Sequence, residues 1–275
     1  MIGHASDIES WSGVAISPDG VPIHYDVYGA TNPALVLVHG WCCSRRHWDK
    51  QVNYFAPHYT VVTIDLAGHG ESGRNRLRWT MRAFAQDVGA VVEKLGAEQY
   101  LLIGHSMGGG VIVETARRMA KPPLGIVGVD TWRNVDQILT PEQIAESIAP
   151  FRADFTHAAR VFVSAMFLPT SPVALMEQTV DSMCAVPPAI GIGALEELRG
   201  YGRDMQEGLR EIKAPKVLIN SSSYGPTDTE AARRHGIEVH LIPGVGHFLM
   251  IEAPEVFNQR LEDVIKRMVS QGGLY

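Results

Sequence analysis

The chain has 275 residues, 45% of them hydrophobic and 20% charged, with 24 Lys and Arg against 30 Asp and Glu and a formal net charge of -6. That balance excludes an intrinsically disordered chain, which needs low hydrophobicity and high net charge. It also speaks against nucleic acid as a partner, for which a basic face is the usual electrostatic footprint.

In chain order, the first ten residues lack the basic stretch and apolar run of a secretory leader, and no apolar run approaches a membrane span. The Pro-Asp-Gly turn at 18–20 precedes a stretch, 20–28, that reads as an antiparallel leading strand of a hairpin. Short runs rich in Val, Ile and Leu follow at 34–38, 60–64, 100–103, 125–129, 216–219 and 238–242. They do not alternate polar with apolar, as expected of strands buried on both faces. The run Arg74, Arg76, Arg78 reads as a solvated loop, because no aromatic platform accompanies it. Between strands, residues 80–95 place Met81, Phe84, Val88, Val91, Val92 and Leu95 near a 3.6 period. Thr80 can cap that helix, and Gly96 stands where a left-handed glycine ends one. Residues 107–119 and 254–269 read as further helices. Alternating strands and helices predict a mainly parallel, twisted α/β sheet flanked by helices.

Residues 134–212 break the alternation. Helical stretches at 141–149, 155–166, 171–184 and 193–198 are separated by Pro169, Pro172 and Pro187-Pro188. We expect a helical cap over 134–212, inserted in a core of 1–133 and 213–275, at the carboxyl ends of the strands where ligand crevices form. Three cysteines, Cys42, Cys43 and Cys184, are too few for a disulfide framework and lack metal-ligand spacing. They read as buried reduced thiols in a cytoplasmic protein.

The chemistry centres on 104–108, Gly-His-Ser-Met-Gly, directly after a buried strand and directly before a helix. A serine on such a turn is strained and needs small neighbours, Gly104 and Gly108, and its hydroxyl then stands clear above the sheet. Serine is a weak nucleophile and needs a base. Of 11 histidines, His247 follows the last strand on a loop with Gly244 and Gly246 that can bring an imidazole over the strand ends. A developing oxyanion needs donors. The backbone N–H groups of Trp41, after Gly40, and of Met107 are the candidates. His39 reads as a structural hydrogen-bonding residue.

These stretches together resemble the α/β-hydrolase fold with a cap. The resemblance rests on His39-Gly40-Trp41, the loop Asp65 to Ser72, the Ser106 elbow and Gly246-His247, and covers nearly the whole chain outside 134–212. It implies a carboxylesterase-like serine hydrolase, with Asp65, His69 and Ser72 as scaffolding and the order Ser, acid, His along the chain. A serine at the elbow departs from dehalogenases and epoxide hydrolases, whose nucleophile is a carboxylate. A second departure concerns the acid, which the family usually carries after the strand at 216–219. Here that position reads Asn220-Ser221-Ser222-Ser223-Tyr224-Gly225-Pro226. We therefore assign the acid to Asp130, which ends the strand next to the nucleophile strand, with Asp228 as the rival.

The expectation is ester or small-acyl hydrolysis by Ser106, His247 and Asp130, with no metal and no cofactor. The substrate is a small ester-like molecule, and neither nucleic acid nor membrane is a partner of the monomer or homodimer. Trp41, Met107, Trp132, Met166, Phe167 and Phe248 are pocket candidates, and Phe151, Phe155, Phe162 and Met183 of the cap supply apolar surface. Two rival classes remain. One is a cofactor-free α/β-fold dioxygenase or a carbon–carbon bond hydrolase using the same His–Asp pair; the resemblance to such dioxygenases includes Gly40-Trp41-Cys42. The other is an inactive binding protein on the same fold.

Overall fold

Strands buried on both faces have to find partners on both edges, and that demand organises the sheet. The computed structural model describes residues 8–272. The expectation of no leader falls largely on 1–7, outside the described residues. In chain order the elements are β1 Ser10–Ile16, β2 Pro22–Tyr28, β3 Ala34–Val38, α1 Asp49–Phe55, β4 Thr60–Ile64, α2 Met81–Leu95, β5 Tyr100–His105, α3 Met107–Arg118 and β6 Gly125–Val129. Then come α4 Pro141–Ala153, α5 Phe155–Ser164, α6 Val173–Cys184, α7 Pro188–Gly200, α8 Gly202–Glu211, β7 Lys216–Ser221, α9 Thr229–Arg234, β8 Ile237–Ile242, α10 Leu249–Glu252 and α11 Pro254–Gly272.

The eight strands form one sheet in the order β1-β2-β4-β3-β5-β6-β7-β8. β1 and β2 are antiparallel to each other and β2 is antiparallel to β4, while the pairs from β4 through β8 are parallel. This is the α/β-hydrolase architecture. β3, β5 and β6 are buried at every position. β5 lies between β3 and β6, so the residue that follows it emerges at the middle of the carboxyl edge. α2 begins as its sequence requires, with the Thr80 hydroxyl accepting from the Ala83 N–H at 3.0 Å, and ends at Gly96 with φ 60°.

Five helices, α4 to α8, lie between β6 and β7. Aromatic packing joins them to the sheet. The Trp41 ring meets Phe151, Phe155 and Phe162 edge-on at 5.7–6.1 Å. Its indole N–H donates to the Gly191 carbonyl at 2.7 Å. No described helix is long and apolar enough to cross a membrane.

Among the differences from expectation are α1 and α8, where no helix was expected, together with β1, Cys184 and Arg76. β1 pairs along the whole of β2, although its sequence, SWSGVAI, is mostly exposed and carries no buried-strand signature. Cys184, at the end of α6, is half-buried, whereas Cys42 and Cys43 are buried as expected. Arg76 is not solvated: only its neighbours Arg74 and Arg78 are exposed. Its guanidinium donates to Asp87 Oδ1 at 2.5 Å and Oδ2 at 3.0 Å, and to Asp19 Oδ2 at 2.7 Å. Asp87 lies on the buried face of α2 and also accepts the Ala67 N–H at 3.1 Å. A buried carboxylate demands a cation, and a helical period does not reveal that demand.

Removing the cation alone strands the charge of Asp87. Arg76→Met is expected to lower the unfolding free energy by about 3–5 kcal/mol in urea denaturation, and Arg76→Met with Asp87→Leu to recover part of that loss. A double variant no more stable than the single one would contradict this account.

Candidate active site

The carboxyl edge concentrates backbone strain. Among the described residues, the non-glycine positions with positive φ are Cys42, Ser106, Asp130 and Trp132, which follow β3, β5 and β6. Such conformations are costly and persist where the surroundings over-determine them. Ser106 has φ 53° and ψ -116°. Its N–H donates to the Val129 carbonyl at 2.9 Å, and its own carbonyl accepts the Thr131 hydroxyl and the Gly109 N–H, both at 2.9 Å. The tightness of the elbow explains its glycines. A Cβ at Gly104 would lie 2.3 Å from the Gly108 oxygen, and one at Gly108 would lie 2.5 Å from the Val38 oxygen.

Asp130 leaves β6 at the same edge with no side-chain exposure. Its Oδ2 accepts from His247 Nδ1 at 2.5 Å. Its Oδ1 accepts the Ser221 N–H at 2.7 Å and Arg133 Nη2 at 2.6 Å. Burial pushes this carboxyl up, but the His247 hydrogen bond and charge, together with Arg133, outweigh burial and hold it below the ordinary 3.8. The donor at Nδ1 assigns the remaining nitrogen of His247, Nε2, as the proton acceptor.

Further hydrogen bonds hold the histidine loop. The His247 N–H donates to the Met166 carbonyl, between α5 and α6, at 2.8 Å. The Glu252 carboxylate accepts the Gly246 N–H at 3.1 Å and the Phe248 N–H at 3.2 Å, and takes the Ser171 hydroxyl at 2.5 Å. His105 donates through Nε2 to the His247 carbonyl at 3.1 Å, with ring centroids 4.6 Å apart. Burial pushes the His105 imidazole well below its ordinary value.

His39 donates through Nδ1 to the Gly40 carbonyl at 2.8 Å and accepts the Leu66 N–H at 3.1 Å, so both ring nitrogens serve the scaffold. Asp65 lies in the same layer and receives the Arg45 and Glu71 backbone N–H groups. Asp228 caps α9 by accepting the Ala231 N–H at 2.9 Å. The structure thus brings Asp130, and not Asp228, to His247. Among the described residues, Ser106 and His247 make no hydrogen bond with each other. In unliganded sites that contact is often long and tightens when substrate binds. Neither the Trp41 nor the Met107 N–H has a hydrogen-bond partner among the described residues.

The pocket candidates Trp132, Met166, Phe167 and Phe248 are all buried, and Phe248 stacks on Phe167 at 5.1 Å. The sequence reading missed Ser221, Arg133, Tyr224 and Glu252. Arg133 alone had a signal, a cation three residues after an acid.

A model of the Alpha/beta hydrolase family matches residues 35–260. The chain belongs to that family. It is 36% identical over 114 residues to a bifunctional esterase/perhydrolase of Acinetobacter calcoaceticus, a match spanning 41% of each chain. It is 33% identical over 256 residues to the dihydrolipoyllysine-residue acetyltransferase component of an acetoin cleaving system of Cupriavidus necator, covering 89% of this chain and 66% of that one. The chain thus spans about two fifths of the first relative's length and just under two thirds of the second's. An esterase from Exiguobacterium antarcticum superposes with a TM-score of 0.81 at 19% identity, over 92% of this chain and 98% of its own, a likeness of fold. Other relatives carry the names of a non-heme chloroperoxidase and a fluoroacetate dehalogenase.

A carboxyl held lower in the folded chain than in the unfolded one contributes stability that is complete above about pH 4 and is lost as pH falls through the folded value. In urea melts at stepped pH, wild type is expected to lose unfolding free energy below about pH 4 more steeply than Asp130→Asn. Parallel slopes would contradict the assigned direction.

Proposed function

We propose that this member of the family is a serine hydrolase that cleaves a carboxylic ester or similar small acyl substrate. The observation that carries the reading is the 2.5 Å contact of Asp130 Oδ2 with His247 Nδ1, at the sheet edge where Ser106 stands on its strained turn. In this reading Ser106 Oγ attacks the acyl carbon and gives its proton to His247 Nε2, while Asp130 fixes the imidazole tautomer and stabilises the imidazolium. The Trp41 and Met107 N–H groups receive the oxyanion. The tetrahedral adduct collapses, the leaving alcohol takes the proton from His247, and the acyl group stays on Ser106. Water, deprotonated by His247, then attacks the acyl-enzyme and releases the acid.

The same reading treats 134–212 as a cap on a core of 1–133 and 213–275. Trp41, Met107, Trp132, Met166, Phe167 and Phe248 supply its apolar walls. Free thiols at Cys42, Cys43 and Cys184 suit a reducing cytoplasm.

One observation favours a second reading. The acid stands after β6, where cofactor-free α/β-fold dioxygenases carry theirs. Oxygen uptake with a quinolone-type substrate, unaltered in Ser106→Ala, would establish that chemistry and displace the hydrolase.

A panel of p-nitrophenyl esters tests the hydrolase directly, with an acyl burst expected. Ser106→Ala is expected to lower kcat by about 10⁶, and a fluorophosphonate to label wild type at Ser106. Retention of more than about a thousandth of wild-type activity would rule out covalent catalysis by this residue. Asp130→Asn is expected to lower kcat by about 10⁴, with Asp228→Asn near wild type at the same pH. The reverse order would overturn the assignment of the acid. Phe167→Ala and Met166→Ala are expected to change acyl-chain preference more than thermal stability. Unchanged preference in both would leave 134–212 as structural cover.

A further inference from the structure

Aspartate χ2 is a broad torsion, so nothing internal to Asp130 decides which oxygen faces His247. Its backbone does not decide it either, since φ, here 47°, bears on χ1 and leaves χ2 free. The orientation has to come from donors on the other oxygen. Of the two on Oδ1, the Ser221 N–H belongs to the end of β7 and the other is the Arg133 guanidinium.

Arg133 also gathers the segment after β7. Its Nη1 donates to the Gly225 carbonyl at 2.5 Å, the Ser221 carbonyl at 3.2 Å and the Thr227 hydroxyl at 3.4 Å. Its own carbonyl accepts the Asp228 N–H at 2.6 Å. The guanidinium carbon lies 5.2 Å from the Tyr224 ring, and that ring lies 5.2 Å from His247. The segment therefore has no contact with the acid through a carboxylate of its own. It reaches the acid through Arg133 and the Ser221 N–H.

We propose that Arg133 is the positioning residue of this site: it locks the Asp130 carboxylate with Oδ2 toward His247 and folds 221–228 and Tyr224 against the pair. The proposal rests on the reading of Ser106, His247 and Asp130 as nucleophile, base and acid. Its charge adds a second effect. A cation on Oδ1 opposes proton uptake by Asp130, and through it by the coupled acid–imidazole pair. The other titratable or charged groups around the pair are His105 of β5, Tyr224, Glu252 behind the histidine loop and Arg199 beyond Tyr224.

The test compares Arg133→Met, Arg133→Gln and Arg133→Lys in the full chain. The first readout needs no turnover: the low-field proton resonance of the His247 Nδ1···Asp130 bond, identified by its loss in Asp130→Asn. It is expected to shift or broaden in the Met and Gln variants and to be closer to wild type in the Lys variant. With a hydrolysed p-nitrophenyl ester, kcat is expected to fall about 10–100-fold in the Met and Gln variants with KM changed little, the mark of a misplaced catalytic group. The acidic limb of kcat/KM is expected to move up by about half a pH unit in those two and to return in the Lys variant. Either neutral variant suffices if the other fails to fold. A wild-type resonance and an unmoved acidic limb in the folded neutral variant would overturn the proposal, whatever happens to kcat. Absence of ester turnover by wild type would count against the hydrolase instead, and the resonance would still decide the role of Arg133.

Discussion

Asp130 carries its charge at the end of β6 without exposure to water, and a carboxylate in that position has to be given other partners or it will not ionise. Three donors meet it, from β7, from the loop after β6 and from the histidine loop. Each comes from a segment far away in sequence or held in a strained turn, so the charge can be accommodated only when the parallel sheet has already aligned β6, β7 and β8. The burial of this charge thus depends on the assembled edge. This coupling explains why the strained φ values cluster here. Ser106 and Asp130 follow adjacent strands, and the bonds from the Ser106 N–H to Val129 and from Thr131 to the Ser106 carbonyl tie one turn to the other.

What was legible in the sequence was what has a period or a fixed local context. β3, β4 and β6 are buried nearly throughout and so read as continuous apolar runs. The elbow was legible because glycine at 104 and 108 is demanded by atoms within a few residues or on the neighbouring strand. Asp130 was legible because an acid ending an apolar strand is chemically conspicuous. β1 was not, because an edge strand exposes most of its side chains and is specified by its partner rather than by its own composition. Arg76 was misjudged for a different reason. An arginine's role depends on which carboxylate lies at the end of its long side chain, and here Asp19 is 57 residues from Arg76 and Asp87 is 11. Glu252 shows the same limit, since two of its partners are main-chain N–H groups, which every residue type but proline possesses.

The helices between β6 and β7 touch the edge in a selective way. The His247 N–H is bound by the carbonyl of Met166 and the Trp41 indole by the carbonyl of Gly191. Both anchors are main-chain oxygens. The side chain at 166 can therefore change in size or polarity while the grip on the histidine loop stays as it is. At 191 the latitude is narrower, because a Cβ there would lie 2.5 Å from the Phe155 ring. The side chain at 166 and the main-chain oxygen that steadies the loop thus answer to separate demands. A lineage built on this scaffold has room to vary position 166 through side-chain replacement alone, without re-solving the placement of its imidazole each time.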